Sequence, residues 1–241
     1  VALHFLVDGA LAARPGDTVT LGGPEAHHAA VVRRVRAGEA VTVGDGHGVW
    51  LAGTVASATP KQVEVLIESR RDADPPAQRL VLVQALAKGD RDELAVQAAT
   101  ELGVDEIVPW QASRSVSRWD AGKAAKGVAR WTAIVREASK QAHREWIPPV
   151  SEPVTTAQLA ARAGTLLVLE PTAKEPLSLT ALDDAGEIVL IVGPEGGIAP
   201  EELSTLAAAG ARPVRLGDTV LRTSTAGPAA LAVISARLGR W

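Results

Sequence analysis

Three short segments of this sequence place glycines and charged residues where a ligand would meet the ends of apolar strands. In an open α/β sheet, ligands collect beyond the carboxyl ends of the strands. Leu169-Glu170-Pro171 closes an apolar run over 165–169. Gly193-Pro194-Glu195-Gly196-Gly197 lies between an apolar run over 188–192 and a helical pattern over 201–209. Its glycines let backbone N–H groups come close to a ligand, and the next helix offers its positive end. No Gly-Lys-Ser/Thr follows, so it is not a nucleotide phosphate loop. Glu195, Glu201 and Glu202 crowd the helix start with negative charge, which suits the helix dipole and repels phosphate. A neutral or cationic ligand fits this loop better. The third segment, 216–226, carries Leu216, Gly217, Leu221, Arg222, Thr223, Ser224, Thr225 and Ala226 and runs into an apolar helix. Ser224 or Thr225 is the expected N-cap of that helix. Arg222 would place one cation beside the other two loops. Taken singly, each segment reads more simply as a strand-to-helix turn. The order in which they occur together carries the ligand reading.

The elements that position these loops follow from periodicity. Residues 18–21, 40–43, 49–55 and 62–67 have strand composition with partial alternation, and Gly22-Gly23, Gly44-Asp45-Gly46 and Thr59-Pro60-Lys61 supply turns. One helix is expected over 25–35. The first domain, 1–72, thus reads as a small β-barrel. Asp72-Ala73-Asp74-Pro75-Pro76-Ala77 breaks every periodicity and reads as a linker. From residue 78 to 241, strands alternate with helices: strands over 80–86, 106–109, 165–169 and 188–192, and helices over 91–102, 121–145, 201–209 and 225–238. Continuous apolar strands of this kind belong to a mainly parallel sheet covered on both faces.

Composition narrows the classes. The chain has 241 residues, 46% of them apolar, enough for a core in each of two domains. It lacks cysteine, which excludes disulfides and thiolate metal sites. Its five histidines lack a zinc-like spacing, so no metal is expected. No apolar run approaches ~18 residues and no signal-like start is present, so a soluble cytoplasmic protein without a membrane partner is expected. The net charge of −3 by itself argues against a nucleic-acid partner. Its distribution argues the other way. From Ser113 to Trp146, eight basic residues face three acidic ones, a local net of +5, and Arg33-Arg34-Val35-Arg36 forms a second basic cluster. A solvated helix face is the plain reading of the first; the second shifts the balance toward a phosphate-tracking surface.

At these residues the sequence resembles the small-subunit rRNA uridine-N3 methyltransferase family of the SPOUT superfamily. The resemblance rests on the 193–197 loop with Leu216-Gly217 and Leu221-Arg222-Thr223. It extends to Lys88-Gly89-Asp90-Arg91-Asp92-Glu93, Gln97, Thr100-Glu101-Leu102-Gly103, Arg114-Ser115-Val116, the stretch from Glu137 to Arg144, and His27-His28 with Val32 to Arg36. It spans nearly the whole chain. Ser224 stands where the family usually has Glu, Ala98 where it often has Lys, and Lys140 where it usually has an acidic residue.

The resemblance implies a PUA-like RNA-binding domain over 1–72 and a SPOUT α/β domain with a deep C-terminal trefoil knot over 78–241. It also implies a homodimer, S-adenosylmethionine as cofactor, and 16S rRNA as partner, within a 30S particle. The cofactor would be held by Leu169, Glu170, Gly193, Pro194, Glu195, Gly196, Gly197, Leu216, Gly217, Leu221, Arg222, Thr223, Ser224, Thr225 and Ala226, with Gly196 giving a close backbone approach. Uracil N3 is a poor nucleophile while protonated, so the protein must orient it and stabilise charge on the uracil oxygens. Arg222 is the first candidate, then Arg144 and Gln141. Arg33, Arg34, Arg36, Lys88, Arg91 and Arg114 are candidates for phosphate contacts, which position the RNA. Two rival readings remain: a SPOUT enzyme acting on ribose or tRNA, and a non-catalytic RNA-binding assembly factor.

Overall fold

In the computed structural model, which describes residues 2–182 and 186–241, the first sheet is built by simple alternation. Its strands are β1 (Leu3–Leu6), β2 (Thr18–Gly22), β3 (Ala40–Gly44), β4 (Val49–Ala58) and β5 (Gln62–Asp72), in the order β1-β3-β4-β5-β2. In β5, Val63, Val65 and Ile67 turn inward, and Leu66 between them is exposed. They meet Val19 and Leu21 of β2, Val41 and Val43 of β3, and Leu51 and Val55 of β4 in one core. β1 runs parallel to β3, and the other pairs are antiparallel. The sheet is a mixed half-barrel with β1 and β2 as its edges. Its register shifts at Ala52/Gly53, where the backbones of β4 and β5 approach closely.

The helix expected over 25–35 is interrupted. α1 (Gly23–His27) passes into a single π-helical turn, His28–Val32, with Arg33 N–H bonded to His28 O at 2.8 Å. Arg34 then takes a left-handed φ of +57° and ends it. Residue Ala73 of the expected linker is fixed: its N–H donates to Gly48 O at 2.8 Å, and its carbonyl accepts from Trp146 Nε1 at 3.1 Å.

The second sheet is all parallel. It comprises β6 (Gln78–Ala85), β7 (Glu106–Trp110), β8 (Thr165–Leu169), β9 (Glu175–Pro176), β10 (Gly186–Val192) and β11 (Arg212–Arg215), in the order β7-β6-β10-β8-β11-β9. From Leu80 to Ala85 every residue is buried, as a sheet covered on both faces requires. The helices are α2 (Arg91–Glu101), α3 (Ala121–Gln141), α4 (Thr156–Ala160), α5 (Pro200–Ala208) and α6 (Thr223–Arg237). α4 and α5 contribute Leu159 and Leu206 to a core with Val81, Val83, Val189 and Ile191. α2 and α6 pack on each other, α2 also on β6 and α6 on both β6 and β10. β1, β9, β11 and α4 are absent from the sequence expectation. β11, Arg-Pro-Val-Arg, buries only Val214 and shows no period.

α3 was expected to reach Glu145 and stops at Gln141. His143 adopts a φ of +53°, and the N–H groups of His143 and Arg144 bond back to the carbonyls of Lys140 and Ser139 at 3.3 and 3.0 Å. This is a Schellman ending with histidine in the place glycine usually takes. The chain divides into two units: residues up to Pro75 with Ser139–Ile147, and Pro76–Ala138 with Pro148–Trp241. Among the described residues no helix is long and apolar enough to cross a membrane, and no acidic or histidine cluster suits a metal ion.

Gly53 offers a test of the first unit. A Cβ there would sit 2.2 Å from the Leu66 carbonyl oxygen, so Gly53→Ala must push backbone apart. The expected cost is ~1–3 kcal/mol. Hydrogen exchange should speed up in β4 and β5 and stay unchanged in β10; unchanged exchange in β5 would refute the register.

Candidate active site

The three loops singled out in the sequence converge on one cavity of about 410 Å³ in the second unit. They leave the carboxyl ends of β8 and β10 and the far end of β11. Leu169 and Glu170 line it from the first loop; Gly193, Pro194, Glu195 and Gly197 from the second; Leu216, Gly217, Leu221, Arg222, Thr223 and Ala226 from the third. Gly196, Ser224 and Thr225 lie beside the wall rather than in it. The Gly196 carbonyl accepts from Arg114 Nη1 at 3.2 Å, and a Cβ there would make ordinary contacts with Arg114 at 3.4–3.5 Å. Its substitution is therefore a weaker probe of the cavity than the sequence suggested. Val192, Ile198 and Val214 add apolar wall that the motif reading left out.

A buried hydroxyl fixes the loops to one another. Thr223 Oγ1 accepts from Gln84 Nε2 at 2.9 Å and donates to Gly193 O at 2.8 Å. α6 accordingly begins at Thr223 with Arg222 in the N-cap position, in place of the expected Ser224 or Thr225. Arg222 has extended backbone, φ −67° and ψ 152°, and its carbonyl accepts the N–H groups of Thr225 and Ala226 at 2.9 Å. Gln84 was missed, although one polar residue inside Leu-Val-Leu-Val-Gln-Ala is a visible signal.

The acidic residues have distinct tasks. Glu195 accepts from Lys88 N–H and from Arg91 Nη1, each at 3.0 Å. Desolvation pushes its carboxyl up, but hydrogen bonds from its own N–H, from Lys88 and from Arg91 hold it below the usual range. Arg91, a phosphate candidate in the sequence, is thus ion-paired and forms part of the cavity wall. Glu202 is buried away from the cavity wall. It accepts from Thr156 Oγ1 at 2.7 Å, Ser113 Oγ at 2.8 Å, Ser113 N–H at 3.0 Å and Ala199 N–H at 3.4 Å. Burial raises its carboxyl, yet these donors outweigh burial and lower it. Glu170 turns back on Thr172, whose hydroxyl donates to it at 2.9 Å.

Among the candidate catalytic residues, Arg222 alone stands in this wall. Its guanidinium is exposed and has no side-chain partner among the described residues. Gln141 and Arg144 group with the first unit. Much of the +5 segment is committed internally: Arg130 pairs with Glu93, Lys123 with Asp120, Lys140 with Glu25, and Arg118 bonds Ser113 O. Arg33, Arg34, Arg36, Lys88 and Arg114 are exposed.

Comparison with known proteins gives consistent matches. Residues 74–235 match a family described as an RNA methyltransferase domain, and residues 21–68 one described as an RNA methyltransferase PUA domain. The chain is 42% identical to the ribosomal RNA small subunit methyltransferase E of Mycobacterium bovis, covering 100% of this chain and 94% of that one. The corresponding protein of Synechocystis is 35% identical over 92% of this chain and 74% of its own length. The crystal structure of a ribosomal RNA small subunit methyltransferase E from Neisseria gonorrhoeae bound to S-adenosyl methionine aligns with a TM-score of 0.87 at 30% identity, covering 98% of both chains. A Legionella pneumophila methyltransferase in complex with the same cofactor aligns at 0.85 and 30%, again over 98% of both.

Glu202→Gln should destabilise the second unit by ~1–3 kcal/mol at pH 7, the worth of charge-assisted bonds lost from a buried acceptor. Because the folded carboxyl titrates lower than the unfolded one, its contribution is full above the unfolded value of 4.5 and fades as pH falls through the folded value. Urea midpoints of wild type and variant should therefore converge in acid. A gap as wide at pH 3 as at pH 7 would refute the role assigned to this carboxylate.

Proposed function

The chain belongs to the ribosomal RNA small subunit methyltransferase E family, and from that premise we propose that it methylates N3 of one uridine in the decoding region of 16S rRNA, using S-adenosylmethionine. The observation that carries this reading is the cavity at the carboxyl ends of parallel strands with the unpartnered Arg222 at its wall. The residues fit such a cofactor. A volume of about 410 Å³ lies in the range of roughly 300–1,000 Å³ usual for small-molecule sites. Leu169, Val192, Ile198, Leu216 and Leu221 offer apolar faces to a purine. Glu170 supplies negative charge that tolerates a sulfonium, and the glycine-bearing loops leave backbone groups near the ligand.

When bound, S-adenosylmethionine supplies an electrophilic methyl group. The protein's part is to orient and to stabilise. The loops would hold the reacting atoms in line. Arg222 would stabilise negative charge that develops on the uracil oxygens as the N3 proton is lost. Glu195, held below the usual carboxylate range and ion-paired with Arg91, is suited to structure rather than proton abstraction. N3 lies on the pairing edge, so the target base must be unpaired or flipped out. The same reading includes a homodimer, a 30S particle as the working substrate and the cytoplasm as the place of action. It also includes a knotted C-terminal segment, which the out-of-sequence order β6-β10-β8-β11 supports.

Nucleoside analysis of 16S rRNA from cells lacking the protein tests the reading directly. One N3-methyluridine should vanish; an unchanged profile, or loss of a ribose methyl instead, would overturn it. Gly217→Val tests the cavity. Gly217 lines it with ordinary φ, and a Cβ there meets nothing within 4 Å, so the fold should tolerate the change. Calorimetric affinity for S-adenosylmethionine should fall by ~1–3 kcal/mol, and an unchanged affinity would refute the site. Arg222→Ala should cost ~10²–10³ in turnover with near-normal cofactor affinity. A rate near wild type would remove Arg222 from the mechanism.

A further inference from the structure

A second polar pocket, of about 160 Å³, lies wholly within the first unit. Its wall includes His4, His28, Arg33, Lys140, Gln141 and His143. These residues come from β1, the π-helical turn and the end of α3, and they include motifs that the methyl-transfer site does not use. His28 belongs to the His27-His28 motif of the family resemblance, Arg33 is a phosphate-contact candidate and Gln141 a catalytic candidate. The structure gathers all three.

His4 is the most constrained of the set. It is 6% exposed and stacks on Trp50 with ring centroids 4.1 Å apart and planes 7° from parallel. Its Nδ1 lies 2.9 Å from Thr42 Oγ1, and that hydroxyl lies 3.4 Å from Leu3 O. The nearer contact takes the hydroxyl hydrogen, so Nδ1 accepts from Thr42 and the ring hydrogen stands on Nε2. The opposite ring nitrogen, Nε2, is buried without a hydrogen-bond partner. A buried polar atom left unpaired costs ~1–3 kcal/mol, so its retention calls for a ligand. Gly44 keeps the ring edge clear, since a Cβ there would lie 3.1–3.3 Å from Cε1 and Nε2.

The charges around it are mostly positive. Lys140, 4% exposed, is matched by Glu25 at 3.2 Å, and the other oxygen of Glu25 accepts from Leu6 N–H at 3.0 Å. Arg33 is exposed and has no acidic partner among the described residues. His143 sits 5.9 Å from His4, centroid to centroid. His143, which lines this pocket, has left-handed backbone, one of two described non-glycine residues that do. Strain of that kind persists where the surroundings hold it in place.

We propose that this pocket is an oxyanion subsite that takes one phosphate group of the RNA backbone, with His4 Nε2, Arg33 and the Gln141 amide as donors. The proposal rests on the reading of the chain as an RNA-binding methyltransferase and assigns Gln141 to RNA positioning. Burial, then the nearby His143 and Lys140, lower the His4 pKa to about 4. The groups that face it are Thr42 from β3, Trp50 from β4, Lys140 with its partner Glu25, and His28, Arg33 and His143. A phosphate oxygen there supplies an acceptor for Nε2–H and draws the His4 pKa back up.

The test follows the His4 ring by NMR during pH titration of the intact protein. Inorganic phosphate and, separately, a single-stranded oligoribonucleotide should each raise the His4 pKa toward 6.5, and phosphate should compete with the RNA. Arg33→Gln, an exposed change that spares the fold, should abolish the phosphate response. It should also lower the salt slope of RNA binding by roughly 0.7, one phosphate contact on a single strand. A His4 ring that ignores both probes overturns the subsite. A response to phosphate alone, without competition, overturns its assignment to RNA. A wild-type salt slope in Arg33→Gln does the same. His4→Phe keeps the stack on Trp50 and should weaken RNA binding while cofactor affinity holds. The rRNA nucleoside analysis can fail while this experiment succeeds, and the reverse, so the two readings fall separately.

Discussion

The second unit turns on one buried hydroxyl. Thr223 Oγ1 takes a proton from the Gln84 amide and gives its own to the Gly193 carbonyl. Gln84 sits near the carboxyl end of β6, Gly193 just past β10, and Thr223 opens α6. Three elements far apart in sequence are held at one point where water does not compete, and an unmade bond there would cost the full desolvation of the groups left behind. The cavity lies beside this point because its walls are the loops so fixed. Freeing Thr223 would release the N-cap backbone of Arg222 as well, and with it the cation of the site.

Electrostatics in this chain are largely spent on architecture. Glu202 joins α5 to Ser113 and Thr156. Glu106 and Glu187 meet Arg79 and Arg162 in a four-residue network, with contacts of 2.7–3.0 Å. Glu195 braces Lys88 and Arg91 beside the cavity. Charges committed in this way define geometry and contribute little to the outward field. Arg222 in the second unit and Arg33 in the first are among the exposed cations that stand outside these ion pairs. The sum of a protein's charges therefore does not describe which of them are free to meet a ligand.

Much of this was legible in the sequence. Alternation in β2 and β5 and the continuous apolar runs in β6, β8 and β10 gave the two sheet types, because burial on one face or two leaves a direct imprint on residue pattern. The loops at 169–171, 193–197 and 216–226 were found from glycines and charges at strand ends, and the family resemblance rested on the same residues. β11 was not legible: Arg-Pro-Val-Arg buries one side chain, and its place beside β8 comes from its neighbours. Nor was the end of α3, where His143 enters a left-handed conformation that its side chain disfavours and tertiary packing imposes.

The sequence by itself determined the residue types at the three strand-end loops, the two sheet types and the basic motifs, since each depends on local pattern or on burial; it did not determine that Ser139–Ile147 groups with the first unit. Only the tertiary structure decided which of those residues meet. It placed Leu169, Gly193 and Arg222 in one wall and left Gly196 outside it. It withdrew Glu202 from the ligand and gave it to the frame. It brought His4, His28, Arg33 and Gln141 around an unpaired imidazole nitrogen. The reason is physical: hydrogen bonds and ion pairs between residues 30 to 139 positions apart are set by how sheets and helices pack, and no local period encodes them.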